Sequence, residues 1–142
     1  MNLTEHFSLE ELTYTDHREF DNTPNDAEKA NLGRLEAFLE KVKGLLGNKP
    51  IMVNSAFRSK AVNDSVGSKD SSQQRVGCAA DIRVPGMTPD EVVRAVIASD
   101  LQFDQVIREF DRWTHISVPN TPDMKPRHQA LIIDKQGTRL FA

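Results

Sequence analysis

The sequence predicts an α+β domain in which a small, mainly antiparallel sheet packs with helices, because helical and strand patterns are segregated along the chain. Apolar residues recur at helical spacing in the first third, and short apolar runs of strand length cluster in the second half. With 142 residues and no internal repeat, the chain fits one domain with one core, which we assign to residues 1–142.

The first two helices are predicted from their starting signals. Residues 8–11 have the Ser-x-x-Glu form of a capping box and predict a short helix. Residues 23–26, Thr-Pro-Asn-Asp, predict an N-cap with proline at the first helical position. The apolar stripe that follows predicts a long helix over residues 27–46. Gly44 and Gly47 mark its end, and Pro50 prevents its continuation.

Strand patterns and a third helix occupy the second half of the chain. Residues 88–91 form another capping box and predict a helix over residues 89–99. Residues 59–77 are polar and predict a long loop, which inside a compact domain is more often functional than idle. Short apolar runs predict strands at 51–57, 79–84, 105–110, 113–118, 130–133 and 138–141.

Composition excludes several classes of function. The formal net charge of −3 provides no basic surface for nucleic acid, and no apolar run approaches the ~20 residues of a membrane helix. The N-terminus is acidic and amphipathic, so we expect a chain made in the cytoplasm without a signal peptide and without membrane insertion. We also expect a monomer. Cys78 is the only cysteine, which excludes an intrachain disulfide framework and a cysteine-based zinc cage.

Strand parity directs two polar side chains to the same side of the sheet. Because side chains alternate along a strand, Asp81 points away from the face that carries Ile82, and His115 points away from the face that carries Ile116. We expect both to leave the core and enter one cleft. A carboxylate and an imidazole on rigid strands form part of an open zinc site of the catalytic kind, which needs a third protein ligand.

Each of these residues has an ordinary structural explanation when taken alone. An aspartate at the start of a strand is usually a turn former, and a single half-buried histidine is usually a hydrogen-bonded one. Arg58 alone is typical of a surface ion pair, and no thiolate-activating environment surrounds Cys78 for pairing with His115. Only the joint order of Arg58, Ser72, Asp81 and His115 favours a functional site.

Several separated motifs resemble one enzyme family. Residues 72–81 follow the pattern Ser-x-His-x-x-Gly-x-Ala-x-Asp except at the histidine, and residues 113–117 read Trp-Thr-His-Ile-Ser. These motifs resemble those of the zinc D-Ala-D-Ala carboxypeptidase family, which includes phage endolysins and has the hedgehog/DD-peptidase fold. Residues 53–59 resemble its Ser-Gly-Tyr-Arg-Ser segment, and residues 7–12 are similar to its N-terminal helix. The resemblance covers nearly the whole chain.

The resemblance implies a peptidase that uses one zinc ion to cleave an amide bond in peptidoglycan stem peptides, and that acts on the cell wall if the protein is a phage lysin. Asp81 and His115 fall on ligand positions, and Gln74 falls on the position of the first ligand, a histidine. An amide oxygen binds zinc less well than imidazole, so we expect weak or absent zinc and an impaired enzyme. The departure is either natural or introduced to disable the enzyme. The alternative is a non-catalytic peptidoglycan-binding or phage structural protein that retains the cleft.

The resemblance also implies a catalytic base and substrate contacts. The family base commonly lies three residues before the last histidine, and this position is Arg112 here. Glu109 and Asp111 are the nearby carboxylates, and Glu109 is preferred because its strand should border the cleft. Arg58 resembles the family arginine that holds the substrate, since its planar fork suits a carboxylate or a carbonyl. Ser72 would hydrogen-bond the substrate or orient the loop.

Overall fold

The computed structural model describes residues 5–141. It consists of a six-stranded mixed sheet with helices packed on it. The strand order is β1-β2-β4-β3-β5-β6, and every neighbouring pair is antiparallel except β3 with β5. This α+β architecture confirms the predicted fold class. The elements are α1 (Leu9–Leu12), α2 (Asp26–Leu45), β1 (Met52–Ser55), α3 (Lys60–Ser65), a 3-10 helix (Gln73–Val76), β2 (Ala79–Arg83), α4 (Pro89–Ala98), β3 (Gln105–Glu109), β4 (Trp113–Ser117), β5 (Gln129–Asp134) and β6 (Gly137–Leu140).

The start of α2 corrects one prediction. The N-cap is Asn25 and not the predicted Thr23, so Pro24 lies just outside the helix. The side-chain oxygen of Asn25 accepts from the Glu28 backbone N–H, and the Glu28 carboxylate accepts from the Asn25 backbone N–H, both at 2.8 Å. This reciprocal cap satisfies two backbone donors at the helix start, which a threonine two residues earlier could not do. Within residues 5–141, no helix is both long and apolar enough to cross a membrane.

The core lies among α2, α4 and the central strands. The leucines of the α2 stripe and the valines of α4 pack in one buried cluster with apolar residues of β2, β3 and β4. Ile82 and Ile116, which parity assigns to the core face, are both fully buried. The opposite face of the same strands is therefore free to line a cleft.

The prediction that residues 59–77 form one long loop is wrong in part, because this segment contains α3 and the 3-10 helix. Ser59 caps α3 by accepting from the Val62 backbone N–H at 3.3 Å. Val62 and Asn63 are buried, and the Asn63 amide donates to the Lys69 carbonyl at 3.0 Å. A six-residue helix with one buried apolar residue carries no apolar periodicity, so the pattern could not reveal it.

Candidate active site

Asp81 and His115 face each other directly across two neighbouring strands. β2 and β4 pair antiparallel with Asp81 opposite His115, and the His115 Nδ1 lies 2.9 Å from an Asp81 carboxylate oxygen. Both side chains are mostly enclosed, with 12% and 16% of their surface exposed. A pair in this register is held by the sheet itself, so its geometry does not depend on a loop.

Glu109 completes a group of three potential metal ligands. It ends β3, and its carboxylate oxygen Oε1 lies 3.7 Å from the His115 Nδ1. The indole N–H of Trp113 donates to the other Glu109 oxygen at 3.2 Å and orients the carboxylate. One ligand atom from each of Asp81, Glu109 and His115 lies within 4.8 Å of the other two. Nitrogen and carboxylate oxygen at such spacing can hold a cation.

The electrostatics of this group favour added positive charge. Burial raises the pKa of Glu109, and the neighbouring Asp81 charge raises it further. Burial alone would lower the pKa of His115, but the Asp81 hydrogen bond and the charges of Asp81 and Glu109 outweigh it, so this pKa lies above its ordinary value. Glu109 and His115 therefore each hold a proton more tightly than the same group would in isolation.

Gln74 does not present a free oxygen to this group. It lies in the 3-10 helix with 2% of its surface exposed. Its side-chain oxygen accepts a hydrogen bond of 2.5 Å from Arg58 Nη2, and its amide nitrogen donates to the Ser55 hydroxyl at 3.2 Å. Both polar ends of the Gln74 side chain are thus used within the protein.

Arg58 lies on the wall of the same cleft. Its Nη2 is also 3.3 Å from the Ser72 hydroxyl, which in turn accepts from the Gln74 backbone N–H. Burial lowers the pKa of Arg58, while the charges of Asp81 and Glu109 oppose that shift. The buried Nε of Arg58 has no hydrogen-bond partner among residues 5–141. The guanidinium is therefore held in place with one donor unused.

Asp111 lies apart from the other predicted site residues. It occupies the turn after β3 with φ 54°, and 70% of its side chain is exposed. Its nearest cationic partner is Arg108 Nε at 3.9 Å, and Asp111 does not line the cleft that contains His115. Of the two carboxylates considered for the catalytic base, only Glu109 adjoins His115.

The cleft includes polar residues that sequence reasoning missed. It encloses about 650 Å³ and is lined also by Gln73 and Arg127. Buried Asp104 joins them, since Gln73 Nε2 donates to it at 3.0 Å and Arg127 Nη2 pairs with it at 2.6 Å. Gln73 and Arg127 are 54 positions apart, and no spacing in the sequence signals that they meet.

Comparison with known proteins places this site in a family. The family model described as Peptidase M15 matches residues 5–117, which include α1 through β4. The matched segment contains Arg58, Gln74 and the trio of potential metal ligands, Asp81, Glu109 and His115. No curated protein matches the chain at a significant level. Since the matched segment spans well over half of the 142 residues, the chain belongs to the peptidase M15 family.

Proposed function

We propose that this protein is a metal-dependent peptidase for peptidoglycan stem peptides whose hydrolysis is impaired at Gln74. The observation that carries the proposal is the 2.5 Å hydrogen bond from Arg58 to the Gln74 oxygen, beside a trio of Asp81, Glu109 and His115 that otherwise suits a cation. Family membership supports the reaction class, and the resemblance of the sequence motifs supports the cell-wall substrate.

The trio fits a zinc ion by donor type and by mutual distance. Asp81, Glu109 and His115 supply two carboxylate oxygens and one imidazole nitrogen, all ligands that zinc accepts. When bound, zinc would polarise the scissile carbonyl and lower the pKa of a water. Position 74 adds no donor, because its oxygen is held by Arg58.

The impairment follows from a double demand on Glu109. A catalytic zinc site uses three protein ligands, so without a ligand at position 74 the third must be Glu109. The same carboxylate is the one next to His115 that could accept the proton of the attacking water. A carboxylate that coordinates a cation has a lower affinity for protons and is a weak base. One residue therefore cannot serve well both as ligand and as base.

Substrate recognition rests on Arg58. Its planar guanidinium suits the carboxylate or a carbonyl of a short peptide, and its unpaired Nε leaves a donor for one. The cleft volume of about 650 Å³ lies in the range of small-ligand sites. Ser72 holds the guanidinium at 3.3 Å and orients it rather than contributing charge.

A second candidate is a protein that binds stem peptides without cleaving them, for example as a phage structural component. The Arg58–Gln74 bond favours it, since the Gln74 oxygen has a hydrogen-bond donor without a metal while the cleft remains open. In this case the peptide carboxylate would be the ligand of the site, and hydrolysis would play no part.

The test compares the chain with Gln74→His and Gln74→Ala. The alanine variant releases Arg58 without adding an imidazole, so it controls for loss of the hydrogen bond. We expect Gln74→His alone to retain stoichiometric zinc after gel filtration and to reduce the turbidity of purified cell walls. Equal zinc content and equal lysis in all three proteins would refute impairment at Gln74. Zinc without lysis in Gln74→His, with stem-peptide binding intact, would favour the binding protein.

A further inference from the structure

A second cavity adjoins the candidate active site. It encloses about 590 Å³ and is formed by the turn that follows β3 and the turn between β5 and β6. Trp113 lines both this cavity and the active-site cleft, and its indole nitrogen is bonded to Glu109. The two spaces therefore share a wall, and a ligand that extends from the cleft past Trp113 reaches the second cavity.

Some of the charges around this cavity neutralise one another. Arg139 makes two hydrogen bonds with the Asp134 carboxylate, at 2.9 and 2.8 Å. Arg108 pairs with Asp90 at the start of α4, with its Nη1 3.0 Å from the carboxylate. These pairs are internal to the protein and leave little charge for a ligand.

Three cationic donors at the cavity are not satisfied in this way. Arg112 and Lys135 line it, are exposed, and have no ion-pair partner among residues 5–141. The buried Nε of Arg108 has no hydrogen-bond acceptor there either, because the nearest carboxylate oxygen, on Asp111, is 3.9 Å away. A buried N–H without an acceptor is costly, and an anion in the cavity can satisfy it.

Phe110 adds an apolar wall to the cavity. It adopts φ 53°, a left-handed conformation that bulky residues rarely take, and it is 45% exposed. Its ring centroid lies 5.9 Å from that of Trp113, and its backbone N–H donates to the Ile133 carbonyl at 2.8 Å. Asp111 is also left-handed, with φ 54°, and the Arg112 backbone N–H donates to the Glu109 carbonyl at 3.0 Å, so the β3–β4 turn itself accounts for this conformation. The turn exposes the Phe110 ring to the cavity.

We propose that this cavity is a subsite for a carboxylate of the peptide substrate remote from the bond that would be cleaved. Arg112, Lys135 and the Arg108 Nε bind the carboxylate, and Phe110 packs against the aliphatic part that carries it. The inference rests on the proposed function, because cell-wall stem peptides bear free carboxylates along their length. A guanidinium matches the planar geometry of a carboxylate, and the aromatic wall requires an organic ligand instead of a bare ion.

The experiment uses Trp113, the only tryptophan of the chain, as a fluorescent reporter. A synthetic stem tetrapeptide and its copy with amidated side carboxylates are titrated into metal-free protein. We expect the natural chain to bind the acid form about tenfold more tightly, and the Arg112→Gln/Lys135→Gln variant to lose that difference. The matched control is Lys29→Gln/Lys41→Gln, which removes two exposed charges from α2. This control should still bind the acid peptide more tightly than the amidated one. Equal affinities for the two peptides, or an unchanged difference in the cavity variant, would overturn the subsite.

A second titration with glutarate and glutaramide separates the subsite from the proposed function. If no protein binds either peptide but glutarate binds in a manner that depends on Arg112 and Lys135, the stem-peptide substrate is wrong and the carboxylate site stands. If glutarate binds no better than glutaramide, the subsite is overturned. Inorganic phosphate that competes as well as glutarate would also overturn it, since the cavity would then be an unspecific basic surface. Matching thermal denaturation of all variants confirms that they are folded.

Discussion

Arg58 and Gln74 are joined by a 2.5 Å hydrogen bond inside the cleft, with the guanidinium as donor and the amide oxygen as acceptor. This bond engages the side-chain oxygen of Gln74, the atom that a metal at this position would need. It also holds a permanent positive charge close to Asp81 and Glu109, whose charges in turn act on the Arg58 pKa. The protein thus supplies internally part of the charge compensation that a metal ion would provide.

The role of Glu109 can be separated from that of Asp111 in the Gln74→His background. We expect Glu109→Gln to reduce cell-wall lysis by about a hundredfold or more, because it removes the carboxylate beside His115. Asp111→Asn makes the same chemical change in the exposed turn, apart from His115, and should change the lysis rate far less than Glu109→Gln does. Zinc content decides the mechanism: retained zinc in Glu109→Gln indicates a base, and lost zinc indicates a ligand. Equal loss of activity in both variants would contradict the assignment to Glu109.

The Asp81 carboxylate should control the protonation of His115. Because Asp81 is the chief cause that raises the His115 pKa against burial, Asp81→Asn should lower that pKa in metal-free protein. An NMR titration of the imidazole protons measures the change, and the spectrum of His115→Gln assigns the resonance. Asp134→Asn, which changes a carboxylate outside the cleft, serves as the control. An unchanged His115 pKa in Asp81→Asn would show that the 2.9 Å contact carries no electrostatic weight.

The same pair predicts how stability depends on pH. The folded pKa of His115 lies above its ordinary value of 6.5, so the folded state holds this proton more tightly than the unfolded state. The resulting stabilisation is fully present below pH 6.5 and is lost as the pH rises through the folded pKa. Urea denaturation of metal-free protein should therefore show stability falling in that interval, and less so in Asp81→Asn. If the stability of the natural chain did not change between pH 6.5 and higher pH, the raised pKa of His115 would be contradicted.

Asp104 and Arg127 should stabilise the connection between β4 and β5. This connection lets β5 pair parallel to β3, and the Asp104 carboxylate accepts from the Arg127 backbone and guanidinium at 2.6 to 3.1 Å. We expect Asp104→Asn to reduce the free energy of unfolding by about 2 kcal/mol, because it weakens hydrogen bonds to a buried charged group. Asp134→Asn disrupts the pair with Arg139, whose carboxylate is more exposed than that of Asp104, and should reduce the free energy of unfolding much less. Equal losses in urea denaturation would show that burial does not strengthen the Asp104 pair.

Gly77 should tolerate no side chain, because it ends the 3-10 helix with φ 83° and packs against α2. A Cβ there would lie 2.9 Å from the Glu28 carbonyl oxygen and 3.1 Å from Leu32 Cγ. Gly67→Ala is the matched control, since Gly67 has φ 73° with no atom within 4 Å of its Cβ position. We expect Gly67→Ala to reduce the free energy of unfolding by about 1–2 kcal/mol, because of the left-handed conformation alone. Gly77→Ala should reduce it further, because the added Cβ also meets α2. Equal costs in thermal denaturation would mean that α2 moves to relieve the contact.

Elements with a local physical cause were predictable from the sequence. α4 begins at the predicted Thr88 cap, where a capping box and a proline act within one turn. The α2 stripe was equally clear, although its cap is Asn25, because several nearby polar residues can compete for the same role. α3 was missed since its stability comes from the burial of Val62 and Asn63 under other parts of the fold.

For the site, the sequence by itself determined which residue types were available and which side of each strand they take, since side-chain alternation is a local property of the backbone. Strand parity assigns Asp81 and His115 to one face, and in the structure they are in contact at 2.9 Å. Only the tertiary structure decided that Arg58 would bind the Gln74 oxygen and that Arg127 would join the cleft. Such contacts between distant segments depend on strand register and on loop paths, which the whole packed core selects and no short stretch of sequence encodes.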